Sequence, residues 1–319
     1  MNTLLKLREV HVEIQSAGDG RVFPLQGVDL NVGQREAVGL VGESGCGKSM
    51  TLRAILRLLP NGGRQTQGEI SLNGDRLDNA DDVYFETIRG RQISMIFQDP
   101  VSALSPLLSI GDQISDVYRY STRATKREGW DRALSLLEAL GIETPDKVAR
   151  RYPHQMSGGM AQRINIAMAL VCEPQLLLAD EPTTGLDVTT QMQVLELLST
   201  QLSKRQASLL FVSHDLRVIA KICEKVGVMY GGILMEFGGS DEVFSSPAHP
   251  YTQRLLECAT IDEGVPPRSI PGSVPKLDMT HDLCPFRNRC NRKLNVCDHE
   301  VPPPKLLSGD HISRCHLDQ

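Results

Sequence analysis

The chain has 319 residues, a formal net charge of −5 and an apolar share of 40%, with aromatic residues at only 4%. That length suits one large domain or a domain plus an appendage, with a core filled by aliphatic side chains. The mild acidity gives no support for nucleic-acid binding, which wants a basic face. Apolar runs such as Leu176–Ala179 and Ile166–Cys172 fall far short of the roughly 20 residues that a spanning helix needs. Lys6, Arg8 and Glu9 interrupt the first ten residues, so no signal-peptide pattern is present and a soluble cytoplasmic chain is expected.

In chain order, Glu36–Val41 predicts a buried strand, Met50–Leu59 a helix and Ile93–Phe97 a second strand. Leu104–Arg151 is polar and helical in character and looks like an inserted subdomain. Gln162–Val171 and Gln191–Leu202 repeat apolar residues at three- and four-residue steps, as helices do, around a strand at Leu176–Ala179. A further strand follows at Leu209–Val212, and Val226–Tyr230 and Ile233–Phe237 flank Gly231-Gly232, a hairpin signal. Strands alternating with helices predict an α/β fold with a largely parallel sheet. Composition shifts near Pro247, and beyond Ile261 prolines punctuate the chain (Pro266-Pro267, Pro271, Pro275 and Pro302-Pro303-Pro304). Such a tail builds little core of its own and is expected to need a metal or a neighbour to hold its shape. Of eight cysteines, Cys46, Cys172, Cys223 and Cys258 are scattered, whereas Cys284, Cys290, Cys297 and Cys315 cluster. In a cytosolic protein that clustering reads as metal binding before disulfides.

The sharpest motif is Gly42-Glu43-Ser44-Gly45-Cys46-Gly47-Lys48-Ser49, placed after a strand and before the helix that Met50 enters. It fits the phosphate loop, Gly-x4-Gly-Lys-Ser: glycines let backbone N–H groups converge on an anion, Lys48 reaches the β- and γ-phosphates, and Ser49 ligates Mg²⁺. Downstream, Leu176–Ala179 delivers Asp180 and Glu181 to a strand end. Asp180 there would hold Mg²⁺ and Glu181 would act as general base on the attacking water. The two motifs predict a phosphate-loop NTPase. Cys46 reads either as a tolerated small residue or as a thiol made reactive by the loop's positive field.

With Ser157-Gly158-Gly159-Met160 just upstream of that strand, the chain resembles the ABC ATPase family, over roughly residues 4–258. The resemblance implies a RecA-like core with an antiparallel β subdomain and a helical subdomain at about 104–165, making an ATPase domain over 1–245. It implies that Ser157, Gly158, Gly159 and Met160 face the γ-phosphate bound by a second subunit, so two ATP molecules lie between two head-to-tail chains. Gln98 matches the residue that senses the γ-phosphate and its metal, Asp187 the loop that crosses the dimer interface, and His214 the histidine on the γ-phosphate. Met160 stands where the family signature has glutamine. No matching aromatic precedes the loop to stack on adenine except Phe23, for which a core role is an equal reading.

Tyr152-Pro153-His154-Gln155, Glu181–Thr189 and Ser246–Leu256 are similar to the oligopeptide, dipeptide and nickel importer branch. That resemblance makes 246–319 a C-terminal extension and implies an ATPase peripheral on the inner face of the cell membrane. Its partners would be two membrane permeases, a second ATPase subunit and, indirectly, an external solute-binding protein. An exporter subunit and a soluble non-transport ABC ATPase are the alternatives. Four thiolates make a soft metal cage. The spacing lacks paired Cys-x-x-Cys knuckles, and the resembling importers carry a 4Fe-4S cluster at matching cysteines; zinc, with His281, His299 or His316 nearby, and no metal at all stay open.

Overall fold

The computed structural model describes residues 2–15, 20–259 and 269–318, so Pro266-Pro267 lies outside the described residues. The chain divides into two units, Met1–Asn79 with Phe211–Gln319, and Ala80–Leu210.

The first unit opens with β1 (Thr3–Gln15), β2 (Arg21–Gly33), β3 (Ala37–Val41), α1 (Lys48–Ile55), β4 (Gly63–Leu72) and β5 (Asp75–Arg76). Here β2, β1, β4 and β5 form an antiparallel sheet in that order. Leu5, Leu7, Val10 and Val12 are buried, and the register shift between Leu7 and Val10 keeps both on the covered face despite their odd spacing. Helix α1 stops at Ile55, four residues short of the predicted Leu59, because Arg57 takes a left-handed φ of 52°. Its guanidinium is drawn to the carbonyls of Leu77 and Asp78, which fixes the turn.

The second unit holds α2 (Asp82–Ile88), β6 (Ile93–Ile96), α3 (Ile110–Thr122), α4 (Lys126–Ala139), α5 (Pro145–Ala149), α6 (Gly158–Leu170), β7 (Leu176–Asp180) and α7 (Val188–Arg205). Strands β6 and β7 run parallel, pairing Ile93 with Leu176 and Ile96 with Ala179, and both are buried. Three helices, α3 to α5, fall within the polar stretch Leu104–Arg151. Ser109 caps α3, and Thr125 with Glu128 forms a capping box on α4. Helices α6 and α7 begin earlier than their apolar periodicity suggests. Ser157 and Asp187 cap them and carry the first turn beyond the apolar positions.

The chain leaves this unit within β8 (Ser208–Val212) and continues through α8 (Leu216–Ile222), β9 (Lys225–Tyr230), β10 (Ile233–Gly239), α9 (Ser240–Ser245), α10 (Pro250–Ala259), β11 (Lys305–Ser308) and β12 (His311–Ser313). Strand β3 pairs parallel with β9, and Gly231-Gly232, both at positive φ, turn β9 back antiparallel into β10. The tail then extends the same sheet: β12 pairs with β10 and β11 with β12. The expected dependence of the tail on a neighbour is met by the first unit itself. His311 Nε2 lies 2.8 Å from the fully buried Glu236, and Phe286 packs edge-on against Tyr230 with ring centroids 5.3 Å apart.

Candidate functional site: a phosphate loop and its acid pair

The phosphate loop follows β3 and opens α1, as its motif requires. Gly42 and Gly47 have φ of 148° and 111°, where L side chains are strained. A Cβ at Gly42 would lie 2.2 Å from the Met229 carbonyl oxygen, and one at Gly47 would lie 2.6 Å from that of Pro24. No larger residue fits without moving backbone. Lys48 is buried, and its Nζ donates to the carbonyls of Gly42 at 2.8 Å and Glu43 at 3.1 Å. Ser49 and Met50 are half-buried in the first turn of α1. Ser44 and Gly45 are exposed.

Cys46 is fully buried, with Sγ 3.7 Å from Lys48 Nζ. Burial pushes its thiol pKa up, and the nearby ammonium offsets this only in part. The reading of Cys46 as a reactive thiol is therefore corrected: the thiolate that would react is disfavoured. His214, after β8 in the same unit, is exposed, and the neighbouring Asp215 caps α8. Phe23 is half-buried, with its N–H donating to the Leu277 carbonyl at 2.6 Å.

In the second unit, buried β7 ends on Asp180, itself buried, and Glu181 follows at a φ of 44°. A left-handed glutamate is uncommon and marks a strained turn of the kind found at functional sites. Glu181 Oε2 accepts from Gln98 Nε2 at 3.3 Å and from Thr184 Oγ1 at 2.9 Å. The expected catalytic glutamate and the expected sensor glutamine are thus brought together within this unit. Asn165 Nδ2 donates to the Phe97 carbonyl at 3.2 Å and so ties α6 to the segment that carries Gln98.

The Ser157–Met160 helix start and the Gly185–Asp187 loop line one cavity of about 620 Å³, with Arg163 and Thr190 on its wall. Ser157 Oγ accepts the Met160 N–H at 3.4 Å. A Cβ at Gly159 would come 2.9 Å from Thr190 Cγ2, so a larger residue there would have to displace the threonine side chain. Asp187 accepts from Thr190 N–H at 3.0 Å and Oγ1 at 2.7 Å, and these bonds hold its carboxyl below the usual range.

Cys284, Cys290, Cys297 and Cys315 line a single small cavity with Phe286, Pro302, His249 and His316. Among the described residues no three His, Cys, Asp or Glu side chains converge as ligands of one ion. By chemistry four thiols are a donor set for a soft metal or an iron–sulfur group, but the free space between them is only about 10 Å³, so the cysteines would have to move apart to admit one. Burial raises the pKa of Cys284 to about 11 and that of Cys290 as well, so ligation by these two would have to displace their protons. Of the neighbouring histidines, His299 is exposed. His316 is buried with Nδ1 unpartnered.

Sequence reasoning missed two residues that contact the phosphate loop. Tyr251 Oη accepts the Glu43 N–H at 2.9 Å, and Arg289 forms a two-bond pair with the Glu43 carboxylate and touches Tyr230. Tyr251 stands inside the Ser246–Leu256 marker, but nothing local tells that it reaches back 208 residues.

A glycine loop gripping its own lysine, with a buried strand ending in an acid pair on the same chain, defines a phosphate-loop nucleoside triphosphatase. A family model for ABC transporters matches residues 25–184, and one for the C-terminal region of oligopeptide/dipeptide transporters matches 235–297. The chain is 43% identical over 316 residues to the probable D,D-dipeptide transport ATP-binding protein DdpD of Escherichia coli, covering 98% of this chain and 95% of that one. It is 41% identical over 320 residues to the dipeptide transport ATP-binding protein DppD of Bacillus subtilis, covering 99% and 95%. Among solved structures it is similar to the ATP-binding cassette MJ0796, a dimer in a post-hydrolysis state with ADP and Pi (TM-score 0.67, 29% identity, 74% of this chain and 99% of that chain). The chain belongs to the ABC transporter family and shares the C-terminal region of its oligopeptide/dipeptide transporters.

Proposed function

We propose that this chain is the ATP-hydrolysing subunit that drives import of peptides or related small solutes through an ABC transporter. The observation that carries the reading is one chain bearing both the ABC ATPase motifs and the C-terminal region of oligopeptide/dipeptide transporters. No helix among the described residues is long and apolar enough to cross a membrane, so translocation would need other chains. The partners are two membrane permeases, a second ABC ATPase and, indirectly, an external solute-binding protein. The chain would sit on the cytoplasmic face, as an ATPase domain over 1–245 with its helical subdomain at about 104–165 and an extension over 246–319.

Lys48 and the loop amides would grip the β- and γ-phosphates, Ser49 and Asp180 would hold Mg²⁺ with Gln98 nearby, and Glu181 would take the proton of the attacking water. Phosphoryl transfer then rests on positioning and charge neutralisation rather than on a covalent intermediate. Ser157, Gly158, Gly159 and Met160, with Asp187 beside them, would close over the nucleotide of a second subunit, and His214 would contact the γ-phosphate. Cys284, Cys290, Cys297 and Cys315 would hold a 4Fe-4S cluster that staples the tail. Protein purified without oxygen should contain iron and labile sulfide and absorb in the brown range; iron-free, colourless protein ends that assignment.

The function is tested by deleting the gene and following uptake of a labelled dipeptide and a labelled longer peptide. Loss of uptake, restored by the wild-type chain and not by Glu181→Gln, is the expected result. Unchanged uptake of both classes overturns the peptide reading.

A further inference from the structure

The cysteine-bearing tail reaches the phosphate loop through one side chain. Arg289 Nη1 and Nη2 donate to the two carboxylate oxygens of Glu43 at 2.6 and 3.0 Å. Nη1 also donates to Tyr230 Oη at 3.1 Å, Nη2 to the Ile270 carbonyl at 2.9 Å and Nε to the Pro271 carbonyl at 2.9 Å. A guanidinium has five N–H groups, and here every one has an acceptor. The Arg289 side chain is only 4% exposed and that of Glu43 24%, so the pair is largely withdrawn from water. Lysine offers no such fork and could not replace it.

Glu43 is held on every polar group it has. Its N–H goes to Tyr251, its carbonyl to Lys48 and its carboxylate to Arg289. The residue stands second in a loop whose amides face a polyphosphate. A bare carboxylate there, partly shielded from solvent, would repel that anion. Pairing with a guanidinium cancels the charge and orients the residue. We propose that Arg289 is a positioning residue for nucleotide binding: it neutralises and fixes Glu43, so the C-terminal tail completes the ATP site. The proposal rests on the ATP-binding reading of the loop.

The test titrates Mg·ATP into the full chain by calorimetry, with Arg289→Met made in the wild type and again in a Glu43→Gln background. In the wild type Arg289→Met should weaken binding about tenfold, and in the Glu43→Gln background by less than about twofold, because no carboxylate is then left bare. Arg289→Lys, which restores the charge without the fork, should fall between. Thermal melting of each variant separates this from damage to the tail, which would lower the midpoint alike in both backgrounds. An equal loss of affinity in both backgrounds would overturn the proposal, and so would no loss in the wild type. A wild-type chain that binds no Mg·ATP would refute the nucleotide reading and the proposal with it, whereas normal wild-type binding with unaltered variants refutes the proposal alone.

Discussion

Glu181 shows how much of the site is set at the scale of single residues. Its backbone is turned into the left-handed region directly after a buried strand, and Gln98 and Thr184 both donate to one of its carboxylate oxygens. Replacing it by glutamine keeps the shape and removes the carboxylate proposed as the base. Glu181→Gln should bind Mg·ATP with affinity near that of the wild type and release phosphate about 10²- to 10⁴-fold more slowly at saturating ATP. Wild-type turnover in that variant would remove Glu181 as the base. Lys48→Ala deletes the buried ammonium that the Gly42 and Glu43 carbonyls hold. Both nucleotide affinity and hydrolysis should fall, and equal affinity by calorimetry would undo the role of the loop. For Cys46, burial and a raised pKa predict that maleimide at neutral pH labels it slowly in the folded chain and rapidly in denaturant. Mass mapping of the labelled peptide reads this directly.

At the scale of elements, helix starts do much of the work. Ser157 and Asp187 cap α6 and α7, and the two caps lie on the wall of one cavity. Pro250 starts α10 and so places Tyr251 on the helix's first turn, from which its hydroxyl reaches the phosphate loop. His249, just before it, is fully buried with Nδ1 accepting the Tyr251 N–H, and burial lowers its pKa to about 3, so it serves as a neutral strut. Tyr251→Phe removes one hydrogen bond while keeping the ring against Tyr230 and Phe286. It should cost on the order of 1 kcal/mol in urea unfolding, because the Glu43 N–H loses its partner. A cost near zero would show that water replaces the hydroxyl.

At the scale of the whole molecule, the tail is an integral layer of the first unit and not a pendant. Strands β11 and β12 continue its sheet beyond β10, and Glu236, fully buried, accepts from the Ala248 and His249 amides and faces His311. Removing residues 305–319 leaves that carboxylate without its histidine and opens the edge of β10. The truncated chain should melt about 5 °C or more below the full one and aggregate sooner on heating. An unchanged melting temperature would mean that the hairpin adds nothing to the fold.

The order of motifs along the chain was enough to place the phosphate loop, the acid pair and the Gly231-Gly232 hairpin. Each depends on residues within a few positions of one another and on local backbone sterics. The strands at Leu176 and Leu209 were likewise legible, because apolar runs of that length bury themselves wherever a sheet forms. Only the tertiary structure decided that Arg289 and Tyr251 close on Glu43 across 246 and 208 residues, that four cysteines share one cavity, and that a proline-rich tail ends as two strands of the sheet. Such pairings are made by packing and by charges that find each other at long range. Nothing in the local pattern encodes them, since an arginine in a polar tail looks the same in sequence whether it faces water or a buried carboxylate.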